Sequence, residues 1–203
     1  MADALRLPRR GSDPGAVSIT FDVGPHPEGT PAVLEALREA DAKATFFLIG
    51  ENVERYPSLA AEIASEGHTV AVHGQRHRNM LRLTPSQFSS DLDRAEATIG
   101  EATGAGAKLY RPPYGIFSPA GLAICRRRGL DPMLWSRWGH DWRRRRAPEK
   151  IVLEVTENLR GGDVLLLHDA DNYSGRDCWR STVAAIPMIV AAIHAAGLRP
   201  AAL

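Results

Sequence analysis

Cysteine, long apolar runs and an excess of either charge are nearly absent from this chain. It has 2 cysteines among 203 residues, which excludes a disulfide framework as the source of its stability. Lys plus Arg number 25 and Asp plus Glu number 24, so the net charge of +1 gives no long-range field to hold nucleic acid or an anionic membrane. No stretch reaches the roughly 20 apolar residues of a membrane span, and residues 1–16 lack the apolar core of a signal peptide. We therefore expect a cytoplasmic protein with no membrane span.

Past residue 16 the chain alternates between short apolar runs and longer segments with helical spacing. Seven runs are typical of buried strands: 17–21, 44–49, 68–72, 108–110, 132–135, 163–167 and, more weakly, 198–203. Six segments have the period of amphipathic helices: 30–40, 57–66, 85–103, 118–128, 147–160 and 182–196. Residues 1–16 are rich in Arg, Pro, Gly and Asp and predict an N-terminal arm, which leaves 17–203 as one domain.

Several of the predicted helices have recognisable ends. Thr30, Thr84 and Ser118 each precede a proline, which puts a hydroxyl at the cap and the proline at the first helical position. Glycine is favoured where a helix ends in a left-handed residue, and we expect this role for the glycines at positions 67, 129, 161 and 197.

Alternating strands and helices predict an α/β fold with parallel strands, which we expect to close as a distorted (β/α) barrel of about seven strands. In such barrels the reactive groups collect at the carboxyl ends of the strands. Five charged or imidazole side chains follow apolar runs here: Asp22, His73, Arg111, Asp141 and His168. The sequence therefore predicts that separate segments deliver these side chains to one rim.

The spacing of His73 and His77 allows both imidazoles to face one divalent ion if the backbone turns helically after the strand. Such a pair in isolation is more often two surface or hydrogen-bonded histidines, because short motifs match by chance. The other polar clusters at the same predicted rim favour the metal site.

Asp22 and Arg111 form a candidate base and its partner. Asp22 ends a strand-like run, although a turn aspartate before Gly24 is the ordinary alternative. Two prolines after Arg111 fix its backbone, and a guanidinium that keeps its proton suits the task of orienting a carboxylate. A structural salt bridge is the competing interpretation.

His168 and Asp141 form a candidate acid and its partner. His168 emerges from an apolar run, and strand alternation puts Leu166 on the same face. It is therefore either a core histidine with satisfied hydrogen bonds or a proton-transfer group. Asp141 could set the tautomer of a histidine and raise its basicity, or could form a structural ion pair.

Other motifs point away from competing functions. The basic run 143–146 has no regularly interleaved aromatic residues and no basic face elsewhere, which favours a solvated loop or helix start over a nucleic-acid site. A G-x-S-x-G elbow is absent from the sequence.

The loop 170–182, which contains Tyr173, follows His168 and is expected either to shape the groove or to be an ordinary surface loop.

Five clusters occur in a fixed order, at positions 20–23, 73–77, 111–115, 138–142 and 165–169. In these motifs the chain resembles the polysaccharide deacetylases of carbohydrate esterase family 4, also called the NodB homology domain, over about residues 17–203. The resemblance implies a distorted (β/α) barrel and metal-dependent hydrolysis of an acetamide or acetyl ester on a sugar.

The same resemblance implies a base and a set of metal ligands. Asp22 matches the base, Arg111 the residue that orients it, and His73 and His77 the metal ligands. Members of the family carry a second aspartate beside the base as a further ligand, and Val23 stands there in this chain. Because an aliphatic side chain donates nothing to a metal, we expect the coordination sphere to be completed by Asp22 itself, Asp169, Asp171 or His26, or by an extra water.

The acid and the walls of the site follow by the same matching. His168 matches the acid and Asp141 the residue that tunes it, while the backbone N–H of Tyr114 matches an oxyanion donor. Trp142, Leu166 and the Tyr114 ring are expected to line an apolar slot for the acetyl methyl. Trp138 replaces an aspartate of the fourth motif, a change that leaves Asp141 in place.

The expected function is removal of an acetyl group from an N-acetylated sugar or glycoconjugate. A divalent metal is expected as cofactor, zinc first and cobalt or nickel as alternatives, and an acetylated saccharide as the partner. Two alternatives remain open. Val23 could mark an inactive relative that binds carbohydrate, or the chain could act on a nonsugar amide.

Overall fold

A computed structural model describes residues 7–203 and shows parallel strands alternating with helices. The strands are β1 Ala16–Asp22, β2 Thr45–Leu48, β3 Thr69–Val72, β4 Leu109–Tyr110, β5 Asp131–Pro132, β6 Arg137–Trp138, β7 Val164–His168 and β8 Arg199–Ala201. The helices are α1 Gly29–Glu39, α2 Gly50–Arg55, α3 Pro57–Ser65, α4 Pro85–Thr103, α5 Pro119–Arg127, α6 Pro148–Thr156 and α7 Trp179–Ala195.

The strands form one curled sheet in the order β5-β4-β3-β2-β1-β7-β6, and β8 pairs with the start of β1. Every pairing between these strands is parallel. The predicted α/β class and distorted barrel of parallel strands are confirmed. Because β1 lies between β2 and β7, the carboxyl ends of the central strands meet at one rim, with Asp22 level with Phe47 and His168.

The core lies between the sheet and the helices around it. All seven residues of β1 are buried, and Phe21 stacks on Phe46 of β2 with ring centroids 5.0 Å apart. Strands covered on both faces are mostly apolar, which is why β1, β2 and β7 could be predicted from their apolar residues. Among residues 7–203, no helix is long and apolar enough to span a bilayer.

Two of the three predicted helix caps are confirmed. Thr84 accepts a hydrogen bond from Gln87 N and Ser118 from Gly121 N. The prediction for Thr30 is wrong, since α1 already begins at Gly29 and the Thr30 hydroxyl donates to Asp169 at 2.5 Å. This hydroxyl is used for a tertiary contact, which the local pattern does not encode.

Predicted helix ends are confirmed at three glycines, Gly67, Gly129 and Gly197, which all have positive φ. The prediction for Gly161 is wrong because α6 ends earlier, near Glu157, and Gly162 is the glycine with positive φ. Gly161 instead lies so close to Pro14 that a Cβ would meet its carbonyl oxygen at 1.6 Å.

The sequence patterns missed two short elements. Helix α2 was not predicted, and the run 132–135 contributes only Pro132 to β5. A further strand, β6, follows it and pairs with β7. Strands of two residues are too short to show a period, so only their pairing defines them.

The described part of the predicted N-terminal arm, residues 7–15, lies against the barrel. Leu7 is buried, and Pro8 O accepts a hydrogen bond from Leu134 N at 2.9 Å. Arg10 forms an ion pair with the buried Asp163 at 2.8 Å. Residues 1–6 of that arm lie outside the described residues.

Candidate active site

A pocket of about 390 Å³ opens at the carboxyl ends of β1, β3 and β7. We call it the active-site pocket. Its polar lining comes from Asp22, His73, His77 and His168, and its apolar lining includes Val23, Tyr114, Trp135, Trp138, Trp142 and Leu166. The parallel register brings these residues together although they are up to 146 positions apart, with Asp22 level with His168.

Asp22 is held by a fully buried arginine. Its Oδ1 accepts from Arg111 Nη1 at 2.6 Å, and only 4% of Asp22 is exposed. Arg111 also donates to Thr20 Oγ1 and to the carbonyls of Met133 and Leu134, and its guanidinium lies 3.9 Å from the centroid of the Phe47 ring. Burial lowers the pKa of Arg111, whereas the Asp22 carboxylate acts to raise it. The carboxylate is therefore fixed by one oxygen, and its Oδ2 remains for the pocket.

His168 is oriented by a buried carboxylate. Asp141 Oδ1 lies 2.9 Å from His168 Nδ1, and Asp141 Oδ2 accepts from the His168 backbone N at 2.7 Å and from Thr182 Oγ1 at 2.8 Å. Burial acts to lower the pKa of His168, but the charge and hydrogen bond of Asp141, with Asp22 and Asp169 further away, raise it above its ordinary value. With Nδ1 bound, Nε2 is the ring nitrogen left for proton transfer.

The two histidines of the H-x-x-x-H pair are neutral imidazoles whose ring centroids are 5.4 Å apart. His73 Nδ1 donates to the Arg111 carbonyl at 2.7 Å, which leaves Nε2 as a ligand atom. Burial lowers the pKa of His73, and burial together with the neighbouring His73 lowers the pKa of His77 to about 3. His77 lies between Tyr173, stacked at 4.5 Å, and the edge of Tyr114 at 4.6 Å.

Val23 occupies the remaining position beside this pair. It is 2% exposed and has φ +88°, a conformation that is strained for a β-branched residue. Its backbone is held from two sides, since Val23 N donates to Phe47 O at 3.1 Å and Asn52 Nδ2 donates to Val23 O at 2.8 Å. The fold thus imposes this backbone conformation whatever side chain it carries.

None of the predicted substitutes for the missing carboxylate reaches the imidazole pair except Asp22. Asp169 accepts from Gly24 N and Thr30 Oγ1, and burial raises its pKa to about 6. Asp171 pairs with His26 at 3.3 Å. These three residues do not line the active-site pocket. Asp22 Oδ2 lies 3.7 Å from His73 Nε2, but its other oxygen is committed to Arg111.

The donor set does not fit the three-ligand metal site that the family resemblance implies. A catalytic zinc site usually takes three protein ligands and a water. Across the part of the chain that the structure describes, no group of three or more His, Cys, Asp or Glu side chains is arranged to hold a metal ion. His73 and His77 supply two imidazoles, and Val23 supplies no donor.

The other predicted site residues also lie at this pocket. Tyr114, Trp142 and Leu166 all line it, and Tyr114 has φ +63° in a turn closed by the bond from Gly115 N to Pro112 O at 2.9 Å. Sequence patterns did not assign Trp135 to the site, although it lines the pocket and packs against Gly115. Tyr173, from the loop expected either to shape the groove or to be an ordinary surface loop, lines the pocket and donates to Glu51 at 2.5 Å.

Known proteins are similar to this chain in both sequence and fold. The family model for polysaccharide deacetylase matches residues 9–133. A chitooligosaccharide deacetylase from Azorhizobium caulinodans is 34% identical over 204 residues, covering 97% of this chain and 95% of that protein.

Two solved structures are also similar. A peptidoglycan N-acetylglucosamine deacetylase has a TM-score of 0.90 at 28% identity, covering 97% of this chain and 90% of that chain. A pseudoenzyme of carbohydrate esterase family 4 from Bacillus anthracis has a TM-score of 0.86 at 25% identity, covering 96% of this chain and 66% of that chain. The sequence and fold similarities together show that this chain belongs to the polysaccharide deacetylase family.

Proposed function

We propose that this chain hydrolyses the acetamide of an N-acetylated sugar in the active-site pocket. The observation that carries the proposal is the convergence of two buried pairs, Arg111 with Asp22 and Asp141 with His168, on one cavity. The similarity of this chain to deacetylases named for chitooligosaccharides and for peptidoglycan N-acetylglucosamine supports a saccharide substrate.

The geometry provides for both proton transfers of the reaction. In this proposal water adds to the acetyl carbon as Asp22 takes its proton, and the developing oxyanion accepts a hydrogen bond from the Tyr114 N–H. The C–N bond then breaks as His168 gives its proton to the departing amine, so that acetate and a free amino sugar result. Positioned acids and bases of this kind contribute about 10²- to 10⁴-fold each to rate.

The walls of the pocket suit the two ends of the substrate. Trp142 and Leu166 present apolar surface for the acetyl methyl. Trp138 and Tyr114 are partly exposed at the mouth, with 36% and 60% of their surface accessible, and offer flat faces to a sugar ring. Substrate pockets commonly combine such apolar walls with a few fixed polar groups.

The divalent ion is a separate proposal. His73 and His77 are where zinc, cobalt or nickel would bind, and a bound ion would polarise the acetyl carbonyl. With two protein ligands we expect weak binding, so no proton transfer above is assigned to the ion.

Carbohydrate binding without turnover is a second candidate function, and Val23 is the observation that favours it. The related Bacillus anthracis protein is described as a pseudoenzyme, and a variant of it as having restored enzymatic activity. The fold of this family can therefore persist in a protein described as lacking catalysis.

Acetate release from a neutral N-acetylglucosamine tetramer tests the proposal. We expect release by the unaltered protein and a loss of about 10²-fold or more in kcat for Asp22→Asn and for His168→Gln. Glu39→Gln and His194→Gln, at exposed positions on α1 and α7, are matched controls that should keep the activity. Binding of the tetramer without acetate release would favour the second candidate, and neither binding nor release would overturn both.

A further inference from the structure

A second pocket, of about 670 Å³, lies on the other side of His77 and Tyr114, which line both cavities. We call it the arginine pocket after Arg78 and Arg82 in its lining. Because the two pockets share a wall, a substrate longer than one sugar in the active-site pocket could extend into the arginine pocket. The inference below rests on the proposed function for that reason.

The lining of the arginine pocket is positively charged. Arg78 and Arg82 contribute guanidinium groups, and none of its lining residues is an Asp or Glu. The active-site pocket differs, because Asp22 faces it.

The two arginines are unequally compensated. Arg78 lies near enough to Asp91 for its charge to act to lower the pKa of that carboxyl. Asp91 Oδ2 also accepts a hydrogen bond from Gln75 N at 2.8 Å. Arg82 is exposed and forms no ion pair or side-chain hydrogen bond with any residue in the range 7–203. Its charge is therefore available to a ligand.

The backbone that carries Arg82 is held by hydrogen bonds, so its side chain starts from a defined place at the rim of the pocket. Residues Met80–Arg82 form a single helical turn in which Asn79 Oδ1 accepts from Leu81 N at 3.0 Å and Arg82 N donates to Asn79 O at 3.0 Å. Met80, 1% exposed, anchors the turn in the core and lies under Gly121 of α5.

The remaining lining suits a sugar. Asn79 and Gln87 offer amide groups for hydroxyls, whereas Leu83, Ile116 and the Tyr114 ring offer apolar surface. Binding sites for small ligands commonly have volumes of about 300–1,000 Å³, and this cavity falls in that range. A planar guanidinium pairs with carboxylate or phosphate oxygens in a two-pronged geometry that a neutral hydroxyl cannot reproduce.

We propose that the arginine pocket binds an anionic substituent, a carboxylate or a phosphate, on the sugar next to the N-acetylated residue held in the active-site pocket. The preferred substrate class is then an acidic N-acetylated saccharide rather than a neutral one. Arg82 is the main determinant of this preference, and Arg78 supports it.

Calorimetric titration with three tetrasaccharides of the same backbone tests this: one neutral, one with carboxylates and one with phosphates on alternate sugars. We expect an anionic tetramer to bind the unaltered protein about fivefold more tightly than the neutral one, a modest gain because the arginines are exposed. The tighter of the two anionic tetramers identifies the substituent. The gain should disappear in high salt, which screens exposed charges.

Arg82→Gln should lower the affinity for the anionic tetramer much more than the affinity for the neutral tetramer and so remove most of the gain, and Arg82→Glu should reverse it. Arg127→Gln, which removes an exposed arginine of α5 outside both pockets, is the matched control and should keep the gain. Equal affinities for all three tetramers, or an equal loss in Arg127→Gln, would overturn the inference.

Acetate release from the neutral tetramer separates this inference from the proposed function. If the neutral tetramer is deacetylated but the anionic tetramers bind no better, only the arginine pocket is wrongly assigned. If the anionic tetramers bind better through Arg82 but no tetramer is deacetylated, the anion site stands and the proposed hydrolysis fails.

Discussion

The two sides of the active-site pocket are held in different ways. On the acid–base side, Asp22 and His168 are each fixed by a buried partner, Arg111 or Asp141, whose own hydrogen-bonding groups are satisfied. On the imidazole side, His77 is held by stacking, and its buried Nδ1 has no hydrogen-bond partner among residues 7–203. Val23 completes that side with an apolar group.

The two sides therefore differ in how much they depend on a partner of opposite charge. Charged side chains removed from water must be paired, so loss of one partner leaves an uncompensated charge. A neutral imidazole between aromatic rings needs no partner of opposite charge. The proposed base and acid are therefore each paired within this chain, whereas the imidazole side has two nitrogen ligands and no carboxylate from position 23.

Arg111→Met is expected to have the largest effect on stability. The substitution leaves Asp22 buried without its cation and removes hydrogen bonds to two carbonyls, so we expect the free energy of unfolding to fall by about 3–5 kcal/mol. Denaturant titration of the purified variant measures this.

His77→Phe is the matched change on the imidazole side. Phenylalanine keeps the stacking against Tyr173 and removes a buried nitrogen that has no hydrogen-bond partner in the described part of the chain. We therefore expect the free energy of unfolding to change by no more than about 1 kcal/mol. Equal losses in the two variants would show that both sides are held alike.

Val23→Asp tests the missing donor. We expect zinc to bind this variant at least about tenfold more tightly than the unaltered protein, because a carboxylate joins the two imidazoles. Calorimetric titration with zinc, together with elemental content after dialysis, measures the difference without reference to activity.

Val23→Asn is the control for that experiment. Asparagine has the shape of aspartate and shares its tolerance of positive φ, but it carries no charge. Zinc binding as tight in the unaltered protein as in Val23→Asp would contradict the conclusion that the imidazole side is incomplete.

The pH dependence of kcat/KM tests whether His168, on the acid–base side, is the acid. His168 must be protonated to donate, and its pKa lies above the ordinary value, so we expect kcat/KM to hold beyond pH 6.5 and to fall as pH rises through that raised pKa. Asp141→Asn removes the charge that raises it, and the falling limb should move down by about one pH unit. Glu39→Gln should leave the limb in place; an unmoved limb in Asp141→Asn would exclude His168 as the acid.

Much of the fold could be predicted because β1, β2 and β7 are buried on both faces and therefore mostly apolar. Strands β5 and β6 have two residues each and show no period, so their places could not be predicted. Thr30 was wrongly assigned as a cap because the carboxylate it contacts, Asp169, is 139 positions away.

Some residues of the candidate site could likewise be predicted from the sequence and others could not. Asp22 and His168 were predictable because each ends an apolar run, and parallel strands carry their ends to one rim. Trp135 and the arginine pocket were not, since surface loops carry no periodic pattern to place their side chains.

The sequence by itself determined which chemical groups are present: a carboxylate and an imidazole at the ends of buried strands, and a valine where a third metal donor would stand. Tertiary structure alone decided how they are held, including which oxygen of Asp22 the buried Arg111 takes and which carboxylates lie out of reach of His73 and His77. The physical reason is that residue identity fixes the available donors and acceptors, whereas their distances depend on contacts between segments far apart in the chain.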